Sequence, residues 1–306
     1  MKILVTGAYG FLGRNISKVF KQSGHTVVGI GHGKWQEEEF TKWGVDTWVE
    51  STITFEALIN ININFDIIVH CGGSGSVGYS IINPYEDFQK SVQSTLAVLE
   101  FIRLKSPYCK FIYPSSVAVQ GNLPDEPIKE TILSTPASPY GFHKKIAEDL
   151  CRSYHLNYNI TVGILRFFSV YGVGLQKQLL YEACKKMTFS ESKEVVFWGT
   201  GEETRDWIYV DDAAKLTHTF ASRLNGLDII NCGSGIRTGI REVLELLKEK
   251  MGLPIKISFN GESRKGDPKH FWADVSKALN YGWQPGTSLG DGLDLYVKYF
   301  KSLIPS

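Results

Sequence analysis

The chain of 306 residues lacks most of the features that announce a function outright. No apolar run approaches the roughly 20 residues that a helix needs to cross a bilayer, so a helical membrane protein is excluded. The five cysteines, Cys71, Cys109, Cys151, Cys184 and Cys232, are odd in number, scattered and without CxxC spacing. That argues against both a disulfide framework and a thiolate zinc site. Seven histidines, His25, His32, His70, His143, His155, His218 and His270, show no HxxxH or HExxH spacing, so no metal set is expected. Charge of one sign is missing as well. Lys plus Arg number 33 against 32 Asp plus Glu, a net of +1, which gives no electrostatic reason for a nucleic-acid or membrane-surface partner. Met1–Val5 runs straight into a strand pattern, without a charged region, a long apolar stretch or a small-residue cleavage site. A reducing cytoplasm is the expected location.

What is present is a core-building composition, 43% apolar and 21% charged, with no internal repeat or low-complexity segment. Short β-branched runs at Lys2–Thr6, Thr26–Ile30, Ile67–His70, Lys110–Tyr113 and Thr161–Arg166 read as buried strands. Helical periodicity fills Phe11–Ser23, Tyr85–Leu104 and Tyr140–His155 between them. Repeated strand, helix, strand means crossover units, hence an α/β fold with a doubly wound parallel sheet. Beyond Gly172 the pattern loosens, with strands suggested at Glu194–Trp198 and Asp228–Cys232. Residues 121–139 read as a loop over the sheet's edge. The expected division is a dinucleotide-binding lobe over 1–167 and a smaller mixed α/β lobe over 168–306, with segments such as 205–232 returning to the first.

Thr6-Gly7-Ala8-Tyr9-Gly10-Phe11-Leu12-Gly13 joins the first strand to the first helix. Glycines at 7, 10 and 13 suit a tight turn, close backbone approach to a pyrophosphate, and tight helix-on-strand packing. The helix then offers free N–H groups to phosphates. The second strand ends in Gly29-Ile30-Gly31-His32-Gly33-Lys34, without the carboxylate that usually holds the ribose hydroxyls of NAD. A carboxylate would repel a 2′-phosphate, whereas His32 and Lys34 could pair with one. NADP(H) is therefore expected ahead of NAD(H). The competing reading leaves Lys34 as a solvated loop residue.

Tyr140 and Lys144 lie four apart at a helix start, so both project from one face. A nearby ammonium can lower a phenol's pKa and let it move a proton at a substrate oxygen. Tyr181 and Lys185 match the same spacing, but position separates the two pairs. Tyr140 follows a strand ending in Tyr113-Pro114-Ser115-Ser116, whose hydroxyls belong at the carboxyl end of the sheet, where ligands bind in such folds. Tyr181 has no such partner and reads as a structural helix residue.

Further motifs occur in order: Ser-Ser-Val-Ala-Val-Gln-Gly at 115–121, Ser-Pro-Tyr-Gly-Phe-His-Lys at 138–144 and Arg-Phe-Phe-Ser-Val-Tyr-Gly at 166–172. Arg205-Asp206-Trp207-Ile208-Tyr209-Val210-Asp211-Asp212, Asn231-Cys232-Gly233-Ser234-Gly235 and Gly266-Asp267-Pro268 follow. With the glycine turn, this set resembles the extended short-chain dehydrogenase/reductase family, in its nucleotide-sugar epimerase/dehydratase/reductase branch, over nearly the whole chain. The resemblance implies a Rossmann-like cofactor lobe and a nucleoside-diphosphate sugar under the second lobe. It implies Ser116 orienting the sugar oxygen, Tyr140 as acid/base and Lys144 on the nicotinamide ribose. The implied cofactor contacts are Gly7, Tyr9, Gly10, Phe11, Leu12 and Gly13, then His32, Lys34, Cys71 and Gly72, with Tyr140 and Lys144. The implied substrate contacts are Ser76, Ser116, Ser169, Arg205 and Arg264, the two arginines suiting a diphosphate. Ser76 also reads as a helix cap within the hydroxyl-rich Ser74–Ser80.

The chain departs from the family pattern at Gln120, Ser169, Ser91, Gly72 and Gly73. Where dehydratases follow the catalytic hydroxyl with an Asp-Glu pair, this chain has Val117 and Ala118, which makes 4,6-dehydration improbable. His143 reads as structural. The expected activity is an NADP-dependent reduction of a nucleoside-diphosphate 4-keto-6-deoxy sugar, with an NAD(P)-dependent nucleotide-sugar 4-epimerase as the alternative. Retention of Ser116, Tyr140 and Lys144 argues against a catalytically silent scaffold. The helices over 85–104 and 140–155 imply a homodimer by resemblance.

Overall fold

A computed structural model describes residues 1–262 and 269–304. The apolar runs become β1 (Lys2–Thr6), β2 (Thr26–Gly31), β4 (Ile67–His70), β5 (Lys110–Ser116) and β6 (Val162–Phe167), and β3 (Thr47–Glu50) is a strand that no apolar run announces. Later strands are β7 (Ser169–Tyr171), β8 (Glu194–Phe197), β9 (Thr204–Tyr209), β10 (Leu227–Cys232), β11 (Arg237–Gly239) and β12 (Lys256–Phe259). Helices α1 (Phe11–Gln22), α2 (Glu37–Lys42) and α3 (Phe55–Asn60) follow the first three strands. Between β4 and β5 lie α4 (Val77–Ile82), α5 (Pro84–Phe88) and α6 (Ser94–Lys105), and α7 (Pro139–Tyr158) precedes β6. The second half adds α8 (Gln178–Thr188), α9 (Val210–Arg223), α10 (Ile240–Met251), α11 (Ser276–Asn280) and α12 (Leu289–Ser302).

Strands β1 to β6 and β10 form one parallel sheet in the order β10-β6-β5-β4-β1-β2-β3. The near-continuous burial of β1, β4 and β6 reflects helices on both faces. Phe20, Ile16 and Phe220 pack on one face; Leu99, Ile102 and Cys151 pack on the other. Strand order reverses between β1 and β4, so a crevice opens beyond their carboxyl ends. A second core around Leu180, Leu244 and Tyr296 belongs to the C-terminal lobe. Residues 121–139 cover the sheet edge at β10, where the Asn231 amide donates to Ile128 O at 2.7 Å and Glu130 accepts from Asn231 N at 2.8 Å. Among the described residues, no helix is long and apolar enough to cross a membrane.

One element differs from its sequence pattern. The stretch expected as a single helix over Tyr85–Leu104 is α5, a π-helical turn at Gln89–Gln93, and α6. Ser94 Oγ donates to Lys90 O and Thr95 Oγ1 to Ser91 O, each at 2.6 Å, so hydroxyls take up carbonyls around the widened turn.

The cross-sheet link that fixes α7 is ionic. Arg166 on β6 and Glu148 on α7 are each 2% exposed and form a two-pronged pair, Nε–Oε1 3.0 Å and Nη2–Oε2 2.8 Å. Ser115 Oγ donates to Glu148 Oε1 at 2.6 Å, and Arg166 Nη1 donates to Glu130 O at 2.9 Å. Removing one member of such a pair strands the other charge without water. Glu148→Ala should therefore lower the unfolding free energy by about 3–5 kcal/mol in denaturant titration. A loss below about 1 kcal/mol would show that Arg166 finds another partner.

Candidate active site

At the carboxyl end of β1 the chain turns through Gly7 at φ +67°, with Gly7 N donating to Ile30 O at 2.7 Å. A Cβ on Gly7 would lie 2.8 Å from the backbone of Cys71 and Gly72, and one on Gly13 would lie 2.3 Å from Gly7 O. Only glycine lets β1, α1 and the segment after β4 meet this closely. Gly10 caps α1 without a side-chain acceptor, so the first-turn N–H groups of Phe11, Leu12 and Gly13 are left for an anion. The geometry is a cradle for a pyrophosphate. Tyr9 packs edge-on against Trp35 at 5.3 Å, and Trp48 Nε1 donates to Gly33 O at 3.2 Å. These aromatic rings hold the loop after β2, leaving His32 and Lys34 exposed.

The deep side of the crevice is built by α7. Ser138 caps it by accepting from Gly141 N at 3.2 Å, with Pro139 in its first turn. Tyr140, Lys144 and Glu148 then recur at helical spacing toward the sheet. Lys144, 6% exposed, donates from Nζ to Pro114 O at 2.9 Å and lies over the Tyr113 ring at 4.8 Å and the Tyr140 ring at 5.9 Å. Tyr140 N donates to Ser80 Oγ on α4 at 3.0 Å. Although part of Tyr140 reaches solvent, desolvation pushes its phenol up to about 12, while a hydrogen bond with Ser116 acts to lower it and the Asp87 carboxylate to raise it. Burial pulls Lys144 down to about 8 against the raising influence of neighbouring acids. A phenol, a hydroxyl and an ammonium thus meet at the crevice floor, a set that can exchange a proton with a substrate oxygen.

The loop after β4 closes the floor. Gly72 N donates to Thr6 Oγ1 at 3.1 Å, and Thr6 and His70 Nδ1 are 2.7 Å apart. His70 is fully buried, and desolvation and the charge of Lys144 lower it to about 3, so the ring is neutral. Cys71 lies within the field of Lys144. Ser76 accepts from Tyr79 N at 3.2 Å and caps α4, the bland use of that hydroxyl. Ser169 on β7 and Arg205 on β9 are half-buried, the latter donating to Thr204 O at 2.8 Å and facing the Phe271 ring. Arg264 and the Gly266-Asp267-Pro268 motif lie outside the described residues. Tyr181 packs edge-on against Phe300 in the second core. Sequence reading missed Ser80, Asp87 and Glu148. Glu148 was within reach, since it continues the four-residue spacing; Ser80 and Asp87 reach the site only through the fold. Among the described residues, no group of three or more His, Cys, Asp or Glu side chains is placed to hold a metal ion.

The model of the NAD dependent epimerase/dehydratase family matches residues 3–233. The UDP-glucuronate 4-epimerase of Thermodesulfobacterium geofontis is 29% identical, over 98% of this chain and 96% of that protein. The solved UDP-glucuronic acid 4-epimerase from Bacillus cereus, in complex with UDP-glucuronic acid and NAD, superposes with a TM-score of 0.88 at 30% identity, covering 99% of this chain and 100% of that one. A UDP-glucose 4-epimerase from Thermotoga maritima, with UDP-glucose, gives a TM-score of 0.90 at 28% identity over 99% of each chain.

Lys144 should titrate near pH 8, well below the usual lysine value of about 10.4, in the 13Cε shifts of lysine-labelled protein assigned with Lys144→Arg. Titration at the ordinary value would mean that water reaches the ammonium.

Proposed function

The chain belongs to the NAD dependent epimerase/dehydratase family, and from that premise we propose that it is a UDP-sugar 4-epimerase working with a bound nicotinamide dinucleotide. The observation that carries the reading is the Tyr140 phenol, hydrogen-bonded with Ser116 beside the buried Lys144, in a chain whose full-length relatives are UDP-sugar 4-epimerases. The glycine cradle fits a dinucleotide, because Gly7 and Gly13 let β1, α1 and the segment after β4 meet closely while the first-turn N–H groups of α1 are left for a pyrophosphate. Gly7, Gly10 and Gly13 with Lys144 would hold the dinucleotide, which would supply reversible hydride transfer at the sugar C4. Tyr140 takes the C4-hydroxyl proton and gives it back, and Ser116 holds the same oxygen. Lys144, still largely protonated at neutral pH, favours the phenolate and donates to the nicotinamide ribose. Arg205 and Arg264 hold the diphosphate, and Ser76 and Ser169 contact the sugar. In this reading residues 1–167 form the cofactor lobe, to which segments such as 205–232 return, and 168–306 form the lobe that covers the sugar nucleotide.

A second reading keeps the same residues for an NADP-dependent 4-keto reductase. It is favoured by the end of β2, where Gly31-His32-Gly33-Lys34 offers the exposed His32 and Lys34 side chains and no carboxylate. Two copies of the chain are proposed to pair through α6 and α7, where Leu96, Phe142 and Ile146 are exposed. A cytoplasmic enzyme without nucleic-acid or membrane partners completes the proposal.

Tyr140→Phe removes one oxygen and should cut turnover of UDP-glucose or UDP-glucuronate by about 10²–10⁴-fold while UDP-sugar binding persists. Unchanged turnover would sink the acid/base assignment. Denaturing fresh protein and identifying the released dinucleotide separates the two readings. Retained NAD supports the epimerase, whereas empty protein that binds NADPH over NADH and reduces 4-keto sugar nucleotides supports the reductase.

A further inference from the structure

Helix α5 carries a carboxylate for which the proposed chemistry has no direct use. Asp87 is completely buried, and its Oδ2 lies 2.5 Å from Nδ1 of His143, the residue just before Lys144 on α7. Its other oxygen, Oδ1, is buried with no hydrogen-bond partner. The His143 side chain is 12% exposed and packs edge-on against Phe88 at 5.4 Å, which fixes the ring. An acid left half-satisfied in the interior is costly unless its charge is used nearby. The groups it faces are those of the crevice floor, for its field reaches both Tyr140 and Lys144.

We propose that Asp87, held by His143, is a positioning residue that sets the charge balance of the Tyr140–Lys144 pair. The two held groups respond in the same direction to a negative charge: Lys144 keeps its proton to higher pH, and so does Tyr140. Other groups around the pair are committed elsewhere. From β5, Ser116 bonds with Tyr140, and the Tyr113 phenol is pushed well up by burial. From β4, His70 is neutral and bonded to Thr6 and Ser94. On α7, Glu148 is bound to Arg166 and the Cys151 thiol is pushed well up by burial; the Cys71 thiol after β4 is pushed up likewise. On α5 and the π turn, Glu86 and Lys90 join Tyr79 in an exposed cluster of their own. Asp87 is thus the buried acid near the pair whose partner is an imidazole rather than a guanidinium or ammonium, and one of whose oxygens is left unbonded.

The activity readout rests on the epimerase reading; the titration readout does not. Asp87→Asn keeps the shape and a hydrogen-bonding end but removes the charge. Lys144, followed by its 13Cε shift in the ligand-free protein, should titrate roughly 0.5–1 pH unit lower than in the parent. In turnover against pH, the acid limb set by Tyr140 and the alkaline limb set by Lys144 should both move to lower pH by a similar amount. A merely structural role would lower the height of the profile and leave both limbs in place. His143→Leu, at a partly exposed position, removes the donor and should shift both limbs the same way by less. Parent-like Lys144 titration in folded Asp87→Asn overturns the proposal. If that variant does not fold, unmoved limbs and unmoved titration in His143→Leu overturn it equally. Should the parent itself fail to turn over UDP-sugars while the Lys144 shift appears in Asp87→Asn, the proposal stands and the epimerase reading fails.

Discussion

The arrangement of the site depends on how α7 is rotated against the sheet, and the Glu148–Arg166 pair sets that rotation. Tyr140, Lys144 and Glu148 follow one another at i, i+4 and i+8, so fixing the last fixes the azimuth of all three. Glu148 meets Arg166 from β6 and Ser115 from β5, while Lys144 meets the carbonyl of Pro114. Each residue of the Pro114-Ser115-Ser116 segment therefore has its own partner on one helix face. A hydrophobic contact at Glu148 could stabilise the fold as well, because burying an ion pair gains little net free energy. A two-pronged guanidinium–carboxylate pair adds direction, and direction is what a catalytic phenol requires.

The same economy of space governs the other wall. Parallel order β10-β6-β5-β4-β1-β2-β3 places the ends of β1 and β4 side by side where the winding reverses. The turn after β1 and the segment after β4 must then share one small volume, and Gly7 and Gly13 are the residues that permit it. The loop over 121–139 caps the β10 edge through Asn231 and Glu130, which stops an open edge from competing for other strands. The C-terminal lobe contributes its own core, and strands β7 and β9 carry Ser169 and Arg205.

Much of this was legible in the residues because local chemistry and fold agree. Lys2–Thr6 followed by three spaced glycines can hardly be anything but a strand, a turn and a helix start, and the Tyr140–Lys144 spacing has a single helical meaning. The reading failed where hydroxyls competed with the backbone. Ser94 and Thr95 widen a helix into a π turn, and no apolar periodicity reports a carbonyl taken by a side chain. It was also incomplete where partners are remote in sequence: Asp87 and His143 are separated by 56 positions, and Ser80 and Tyr140 by 60. His143 read as structural because its neighbour Lys144 faces the crevice, yet the residue beside a catalytic one on a helix is well placed to contact the helix packed alongside. Cofactor choice rested on the end of β2 alone. The absence of a carboxylate there removes a repulsion against a 2′-phosphate, but it favours NADP only where the exposed His32 and Lys34 turn toward the ribose. Their surroundings in the sequence do not fix that orientation.

Burial acts on the two reactive groups in opposite senses of charge but the same sense of chemistry. It raises the Tyr140 phenol and lowers the Lys144 ammonium, so each is driven toward its neutral form. Among the neighbours, His70 is neutral and the Tyr113 phenol is pushed well up, while the Asp87 and Glu148 carboxylates act to keep Lys144 protonated. The floor of the crevice is therefore a poorly screened region holding a marginal ammonium and a reluctant phenol. In such a region an added positive charge is felt strongly, because little water or mobile countercharge stands between. A cationic ring docked in the glycine-lined crevice would favour the phenolate far more than it could in solution. On the function proposed above, acid/base competence is then tied to occupancy of the cofactor site, and an empty protein keeps its phenol protonated.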